Sequence, residues 1–194
     1  MASLAHHFLT MAYNNAWANH RLLKACAQLA PDEFAARCTS FFPSIKATLN
    51  HIVTVDWFYI DMLERAVQGR PPNLEGGKFF DPEEPFDTCA PLAEAQRAAD
   101  RRLIALCAAL TDSQLDGPVQ VPRRDGVHTD RIARIVAHLF QHQIHHRGQV
   151  HAMLAGTSVK PPQLDEFFCS NEGPLRAQDF AELGFREEAI WGTA

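Results

Sequence analysis

Four long stretches of the sequence repeat their apolar residues at intervals of three and four positions, the spacing that lets an α-helix bury one face. We expect these stretches to form helices over residues 4–29, 44–68, 91–110 and 130–155. Helices of about 20 residues reach roughly 30 Å and can bury their apolar faces only against one another. The sequence therefore predicts an all-α fold built as a four-helix bundle.

Residues that start or stop helices mark several of these boundaries. Pro31 follows the first stretch, and Gly69 follows the second. Thr129 can accept hydrogen bonds from the free amides at the start of the fourth helix, and the carboxylate of Asp130 suits the positive end of the helix dipole. We therefore expect the fourth helix to begin at Asp130 and to end before Gly156.

The connections between the helices differ in length. Residues 70–90 are rich in Gly, Pro, Asn and Asp, which predicts a long crossover loop without regular structure. Residues 119–128 contain alternating valines and an Asp-Gly turn signal, which predicts a small hairpin before the last main helix. Beyond the fourth helix we expect a loop with one or two short helical turns around residues 175–183. The length suits one domain that covers residues 1–194.

The charge balance limits the partners that this chain can bind. With 18 basic and 23 acidic residues, the formal net charge is −5, so no basic surplus exists to neutralise a nucleic-acid backbone or an anionic membrane. We therefore expect neither nucleic-acid nor membrane binding.

The five cysteines are scattered without a Cys-x-x-Cys pair, and no apolar run reaches the ~18 residues of a membrane span. Since the N-terminus also lacks a leader pattern, we expect a cytoplasmic protein.

Histidines are concentrated in one segment of the chain. Five of the ten lie within residues 138–151, and His138, His142 and His146 follow one another at four-residue intervals. Residues four apart on a helix share a face and lie about 6 Å apart along the axis, so two adjacent members of this series can bind one metal ion. The outer two are about 12 Å apart along the axis, which is too far. The pair is therefore either His138 with His142 or His142 with His146.

A third ligand has to come from another helix. His51 is the only other histidine within a strongly apolar helical stretch. The same residues also fit solvated or core histidines, because an isolated His-x-x-x-His often arises by chance. Two overlapping pairs together with a core histidine favour a metal site, while the residues alone leave the choice of pair open.

Several segments of the chain resemble one known family. The segment HLFQHQIHHRGQV (residues 138–150) resembles the last-helix motif of the DinB-like (YfiT-like) metalloenzyme superfamily, in which a histidine pair four residues apart precedes Arg-Gly-Gln. The segment YNNAWANHRLL (13–23) is similar to the first helix of that family. The segment LNHIVTVDWFY (49–59) is similar to its second helix, where an acidic residue follows a histidine by five positions. Residues 161–165, PPQLD, fit the segment after the last helix.

The resemblance implies a DinB-like four-helix bundle that holds one divalent metal ion, zinc or nickel, through three histidines. Carried onto this sequence, the ligands are His51 from the second helix and the pair His142 and His146 from the fourth, since this pair leads directly into the Arg-Gly-Gln motif. His138 then lies one turn before the site, and we expect it to pack or to form a hydrogen bond within the bundle. The resemblance also implies a homodimer.

Two residues near the expected ligands are assigned structural roles. Asp56 lies about 140° around its helix from His51, so we interpret it as a partner for Arg147 or as a carboxylate on the helix surface. Gly148 interrupts the fourth helix, where glycine costs about 1 kcal/mol relative to alanine. A glycine at such a position predicts close contact with another helix.

Three neutral imidazoles leave an open coordination position, which is typical of catalytic metal sites. Such a metal could activate a water for hydrolysis or a thiolate for transfer. Some members of the superfamily are thiol-dependent S-transferases, so the resemblance implies an enzyme that acts on a small molecule, with a low-molecular-weight thiol as cosubstrate, or else a hydrolase. The alternative is a non-catalytic, dimeric, stress-associated binding protein with a vestigial or structural metal site. No acidic residue stands beside the expected ligands as the glutamate of His-Glu-x-x-His does, which keeps this alternative open.

Overall fold

The computed structural model describes residues 3–192 and consists mainly of helices. In chain order, the α-helices are α1 (Leu4–Cys26), α2 (Pro31–Ala35), α3 (Ile45–Val67), α4 (Cys89–Ala109), α5 (Asp112–Leu115), α6 (Ile132–Leu154), α7 (Gly173–Leu183) and α8 (Glu187–Trp191). The four long helices form a bundle in which α1 and α3 each pack against both α4 and α6. The predicted all-α, four-helix bundle is therefore confirmed. Across the described residues, no helix has both the length and the apolar composition to cross a bilayer.

Two of the long helices begin where the sequence offers a capping side chain. The Ser3 hydroxyl accepts a hydrogen bond from the first turn of α1, and the Ser44 hydroxyl accepts one from the backbone of Ala47 (3.0 Å) at the start of α3. The first helix ends at Cys26, before the predicted end at residue 29. Pro31 then begins the short helix α2, since proline is well tolerated in a first turn.

Strands β1 (Pro118–Arg123) and β2 (Gly126–Arg131) form the expected antiparallel hairpin. The alternating valines of β1 bury one face of the hairpin in the core. The hairpin extends beyond the predicted range because Thr129 pairs with β1 and stays in β2. The prediction that Thr129 caps the fourth helix is therefore wrong, and α6 begins at Ile132 rather than at Asp130.

The crossover between α3 and α4 contains a regular element that the sequence analysis did not anticipate. Residues Gly76–Phe80 form a short 3-10 helix that packs against α3. A side chain at Gly76 would place its Cβ atom 3.0 Å from the ring of Phe58, so glycine permits this close approach. The prediction of a loop without regular structure is therefore wrong for these five residues.

The C-terminal region is more helical than expected. The predicted turns around residues 175–183 belong to α7, and α8 follows. The buried guanidinium of Arg176 pairs with Glu187 (2.9 Å). Trp17 of α1 packs against Phe167, with ring centroids 5.6 Å apart. The ion pair therefore joins α7 to α8, and the aromatic contact helps to hold the C-terminal region against the bundle.

A layer of buried polar side chains divides the apolar core of the bundle into two parts. One apolar cluster includes the N-terminal half of α1 and the hairpin, and the other includes the C-terminal part of α1 and the N-terminal part of α3. Between these clusters lie seven residues that we call the polar layer: Asn15, Asn19, Asp56, Gln96, Asp100, Gln143 and Arg147. The expected ligands His142 and His146 each directly precede a residue of this layer on α6, and His51 lies five positions before Asp56 on α3.

Candidate metal centre

His51 on α3 faces His142 and His146 on α6. One nitrogen from each imidazole lies within 4.8 Å of the others, and the Nε2 atoms of His51 and His142 are 3.0 Å apart. A tetrahedral zinc site with Zn–N distances of about 2.1 Å holds its nitrogens roughly 3.4 Å from one another. With small rotations the three side chains can therefore hold one divalent ion and leave a coordination position open.

His138 does not belong to this group. Its imidazole is exposed and packs against the ring of Tyr59, with centroids 5.2 Å apart. The rings of His142 and His146, by contrast, are 4.4 Å apart. Of the two pairs that the spacing left open, the structure brings His142 and His146 together with His51.

Burial keeps the three imidazoles neutral. Desolvation, together with the charges of neighbouring histidines, lowers the pKa of His51 to about 4 and that of His142 to about 3. Desolvation also lowers the pKa of His146. At pH 7 all three side chains are therefore in the neutral form that binds metal.

Gln149 fixes the protonation of one of the three histidines. Its Oε1 atom is 2.8 Å from Nδ1 of His146, and because an amide oxygen only accepts hydrogen bonds, Nδ1 carries the proton. The Nε2 atom of His146 is then free to bind metal. The amide nitrogen of Gln149 is 3.1 Å from Nε2 of His145, so the same side chain also contacts the exposed histidine next to the site.

We expect Gln149→Ala to weaken metal binding by about tenfold or more, because the hydrogen-bond partner of a metal ligand typically contributes 10–100-fold to affinity. Competition with a chromophoric zinc chelator measures this change. Gln141→Ala, at an exposed position of the same helix, is the matched control and should leave the affinity unchanged. Equal affinities of the two variants would show that Gln149 does not orient His146.

Two phenylalanines that the sequence analysis did not single out lie against the histidines. The ring of Phe42 is 4.3 Å from that of His51 and 5.5 Å from that of His146. The neighbouring Phe41 is 78% exposed, and its ring lies 6.4 Å from that of His146. Both residues precede α3, and an adjacent apolar pair outside any periodic stretch is the one signal that could have identified them.

His51 also borders a groove of about 890 Å³, which we call the His51 groove. The groove is lined by residues of α3, of the 3-10 helix and of the hairpin, including Arg123 and Arg124. Volumes in this range are typical of sites for small molecules. Of the three histidines, His51 is therefore accessible from a space that can admit a substrate.

A second group of potential ligands, His20, Asp179 and Glu182, has a different character. The Nζ atom of Lys24 is 2.8 Å from Glu182, and the Nε atom of Arg21 is 2.6 Å from Asp179. Cationic side chains already neutralise both carboxylates. This group is therefore an ion-pair cluster that joins α1 to α7 rather than a metal site.

Asp56 belongs to the polar layer and does not face solvent. Its Oδ2 atom accepts hydrogen bonds from Gln96 (2.7 Å) and Gln143, and Gln143 accepts one from Arg147 (3.3 Å). Of the two roles expected for Asp56, the surface position is therefore wrong, and the link to Arg147 runs through Gln143. Because Asp56 is on α3 and Gln143 is next to His142 on α6, this bond joins the two helices that carry the histidines.

Gly148 has no close neighbour in the described part of the chain. A Cβ atom at this exposed position of α6 would meet nothing within 4 Å. The predicted close contact with another helix is therefore wrong within the chain. Gly148 instead lines a surface groove of about 480 Å³ together with Ile144 and Phe168.

Comparisons with known proteins agree on one family. The model of the DinB family matches residues 2–174. The chain is 26% identical over 155 residues to Protein DinB of Bacillus subtilis (strain 168), a match that covers 76% of this chain and 85% of the relative. It shares its fold with the crystal structure of a DinB-like protein from Bacillus cereus, with a TM-score of 0.56 at 17% identity over 76% of this chain and 90% of that chain. The chain therefore belongs to the DinB family.

Proposed function

We propose that this protein is a divalent-metal-dependent enzyme that acts on a small molecule, either as a thiol-dependent S-transferase or as a hydrolase. The observation that carries the proposal is the convergence of His51, His142 and His146 within 4.8 Å, beside a groove of about 890 Å³. Three histidine ligands are typical of catalytic zinc sites, because they leave a position for water or substrate. Zinc and nickel both suit imidazole ligands.

The residues around the site would divide the work as follows. His51, His142 and His146 would hold the ion, and Gln149 would keep His146 in the correct tautomer. Phe42 would shield the ligands from water on one side. A bound divalent ion supplies Lewis-acid activation of a water or a thiol.

One observation favours the alternative of a non-catalytic binding protein with a vestigial or structural metal site. In residues 3–192, no carboxylate forms a hydrogen bond with any of the three histidines. The described residues therefore show no carboxylate held against the ligands in the way that would fix a general base beside the ion. Such a protein would still bind metal but would show no turnover.

Elemental analysis and activity measurements test the proposal together. Purified protein should contain one equivalent of zinc or nickel and lose it to a chelator. The stripped and reloaded forms are then assayed for consumption of cysteine with 1-chloro-2,4-dinitrobenzene and for hydrolysis of 4-nitrophenyl acetate. Activity that disappears with the metal and returns on reloading supports the enzyme. Stoichiometric metal without either activity supports the binding protein, and absence of metal binding contradicts both.

We also propose that the protein acts in the cytoplasm and binds neither nucleic acid nor membranes. All five cysteines are free thiols, as expected in a reducing compartment. The net charge of −5 offers no electrostatic attraction to polyanions. The physical partners of the enzyme are then its small-molecule substrate, a low-molecular-weight thiol and a second copy of the chain.

We expect the protein to form a homodimer through the exposed face of α6. Ile144 is 45% exposed and Phe168 is 47% exposed, and both line the groove that contains Gly148. Light scattering at micromolar concentration should give twice the chain mass of 21.7 kDa. Ile144→Asp should shift the protein to monomer, whereas Val127→Asp, at a similarly exposed position of the hairpin, should not. A monomeric parent protein would contradict this expectation.

A further inference from the structure

The His51 groove has an aromatic interior. Its lining includes the rings of Phe42, Phe58 and Phe80, which come from the segment before α3, from α3 and from the 3-10 helix. Aromatic rings bury large apolar areas and stack against planar ligands. This part of the groove therefore suits the apolar body of a small molecule.

Two arginines at the tip of the hairpin give the groove a cationic side. The Nη2 atom of Arg123 donates a hydrogen bond to the Tyr59 hydroxyl (2.9 Å), and its guanidinium lies 5.6 Å from the ring centroid of Phe58. These contacts hold Arg123 in place but use only one of the five N–H groups of a guanidinium. Arg124 follows it in the turn and also lines the groove.

The positive charge of these arginines is not neutralised by the protein. In residues 3–192, neither Arg123 nor Arg124 has a carboxylate oxygen within 4.0 Å. The acidic residue of the same turn, Asp125, pairs with His128 instead (2.9 Å). Two guanidinium groups without a carboxylate partner are therefore available to a ligand.

The groove lining also contains two acidic residues, Glu83 and Glu84. The carboxylate of Glu84 lies 3.4 Å from Nζ of Lys46, which pairs more closely with Asp87 (2.8 Å). Glu83 is exposed and has no ion-pair partner among the described residues. Within residues 3–192, neither carboxylate forms an ion pair with Arg123 or Arg124, so both guanidinium groups stay available to an anionic ligand.

We propose that the His51 groove binds a small molecule with an aromatic or other apolar body and one anionic group. The anion would lie on Arg123 and Arg124, and the apolar body would lie among the phenylalanines, next to His51. Guanidinium groups bind carboxylates, sulfonates and phosphates through paired, charge-assisted hydrogen bonds. As a statement about the substrate, this inference rests on the function proposed above.

Binding of 2-naphthoate and of its neutral analogue 2-naphthamide tests the inference. Isothermal titration calorimetry is done on chelator-treated protein, so that the carboxylate cannot bind a metal ion. We expect 2-naphthoate to bind at least tenfold more tightly than 2-naphthamide. The double variant R123M/R124M should lose this preference, and R124M alone should reduce it.

Two control variants isolate the effect of the groove. Arg101→Met removes an exposed arginine of α4 that lies outside the groove and should leave the preference unchanged. Glu83→Gln should leave naphthoate binding equal or make it tighter. The inference is overturned if naphthoate does not bind, if naphthamide binds equally well, or if R101M weakens binding as much as R123M/R124M does.

The result is separable from the metal hypothesis. His142 does not line the groove, so His142→Ala should keep its preference for naphthoate even though it cannot form the metal site. A preference for naphthoate without metal binding would support the proposed ligand class and contradict the proposed enzyme. Metal binding without this preference would contradict the ligand class but not the metal-dependent enzyme.

Discussion

Replacing His142 with alanine should reduce bound metal from one equivalent to background. The Nε2 atom of His142 lies 3.0 Å from that of His51, and its ring is 4.4 Å from that of His146, so its loss removes one of three mutually close ligands. Four-ligand zinc sites bind with about 10–16 kcal/mol, so one ligand accounts for roughly 3 kcal/mol. We therefore expect an affinity loss of about a hundredfold or more.

His138→Ala is the matched control for this substitution. It removes a histidine from the same helix and the same four-residue series, but from an exposed position outside the group. Metal content after dialysis, together with the rise in melting temperature on adding zinc, measures both variants. Loss of metal in His138→Ala together with retention in His146→Ala would instead identify His138 and His142 as the pair that binds the ion. His51→Ala should behave like His142→Ala.

The sequence predicts the main helices because each has a continuous apolar face. The period of the apolar residues identifies α1, α3, α4 and α6, and their ends are missed by only a few residues. The start of α6 is the clearest failure. Thr129 has the chemistry of a helix cap, but pairing with β1 keeps it in a strand, and no local pattern shows a partner strand.

The candidate metal site is only partly predictable from the residues. Helical geometry excludes one ion shared by His138 and His146, but it cannot choose between the two remaining pairs, because that choice depends on which turn of α6 faces His51. The resemblance to the DinB family supplies the choice. Neither the helical spacing nor the family resemblance identifies Phe42, since it lies in an irregular segment whose position is set by tertiary packing.

The polar layer is the part of the fold that is hardest to predict from the sequence. Asn15, Gln96 and Gln143 are residue types that usually face solvent on a helix. Their burial follows from several helices that each contribute complementary polar groups at the same level of the bundle. Periodicity within one helix cannot show that such partners exist on another. This is also why the sequence leaves a surface position open for Asp56.

The polar layer contains more acidic than basic side chains. Asp56 and Asp100 are both buried, and Arg147 is the only cationic side chain in the layer. Burial, reinforced by the charge of Asp100, raises the pKa of Asp56 to about 7, and burial raises that of Asp100 to about 6. Desolvation lowers the pKa of Arg147 to about 10, so the guanidinium stays charged at neutral pH. One carboxylate therefore has no countercharge when both are ionised.

Hydrogen bonding also favours a proton on Asp56. Its Oδ2 atom accepts from two glutamine amides, whereas its Oδ1 atom and the Oε1 atom of Gln96 are buried acceptors with no donor in the described structure. A proton on the Asp56 carboxyl would supply a donor to this cluster. Unpaired buried polar atoms cost about 1–3 kcal/mol, so protonation relieves both the charge and the missing hydrogen bond.

Asp56→Asn should make the stability of the protein less sensitive to pH between 5 and 8. The pKa of Asp56 is higher in the folded state than the ordinary value of 3.8, so its stabilising contribution is complete below about pH 4 and is lost as pH rises through 7. The asparagine keeps an acceptor for both glutamines and never ionises. Relative to the parent protein, the variant should therefore gain stability as pH rises, by at most about 4 kcal/mol for a shift of three pKa units.

Urea unfolding at pH 5 and pH 8 in the presence of a chelator measures this difference. The lowered pKa values of His51 and His142 have the opposite effect on stability. Because these buried histidines are neutral in the folded state, their contribution to the stability of the protein decreases as pH falls. That contribution is common to both proteins and cancels when the variant is compared with its parent. Asp61→Asn, on the same helix at a partly exposed carboxylate paired with Arg65 (2.9 Å), should give a difference that does not change with pH. A flat difference for Asp56→Asn as well would mean that Asp56 is ionised throughout, with Arg147 and the amides of the polar layer sufficient to compensate two buried carboxylates.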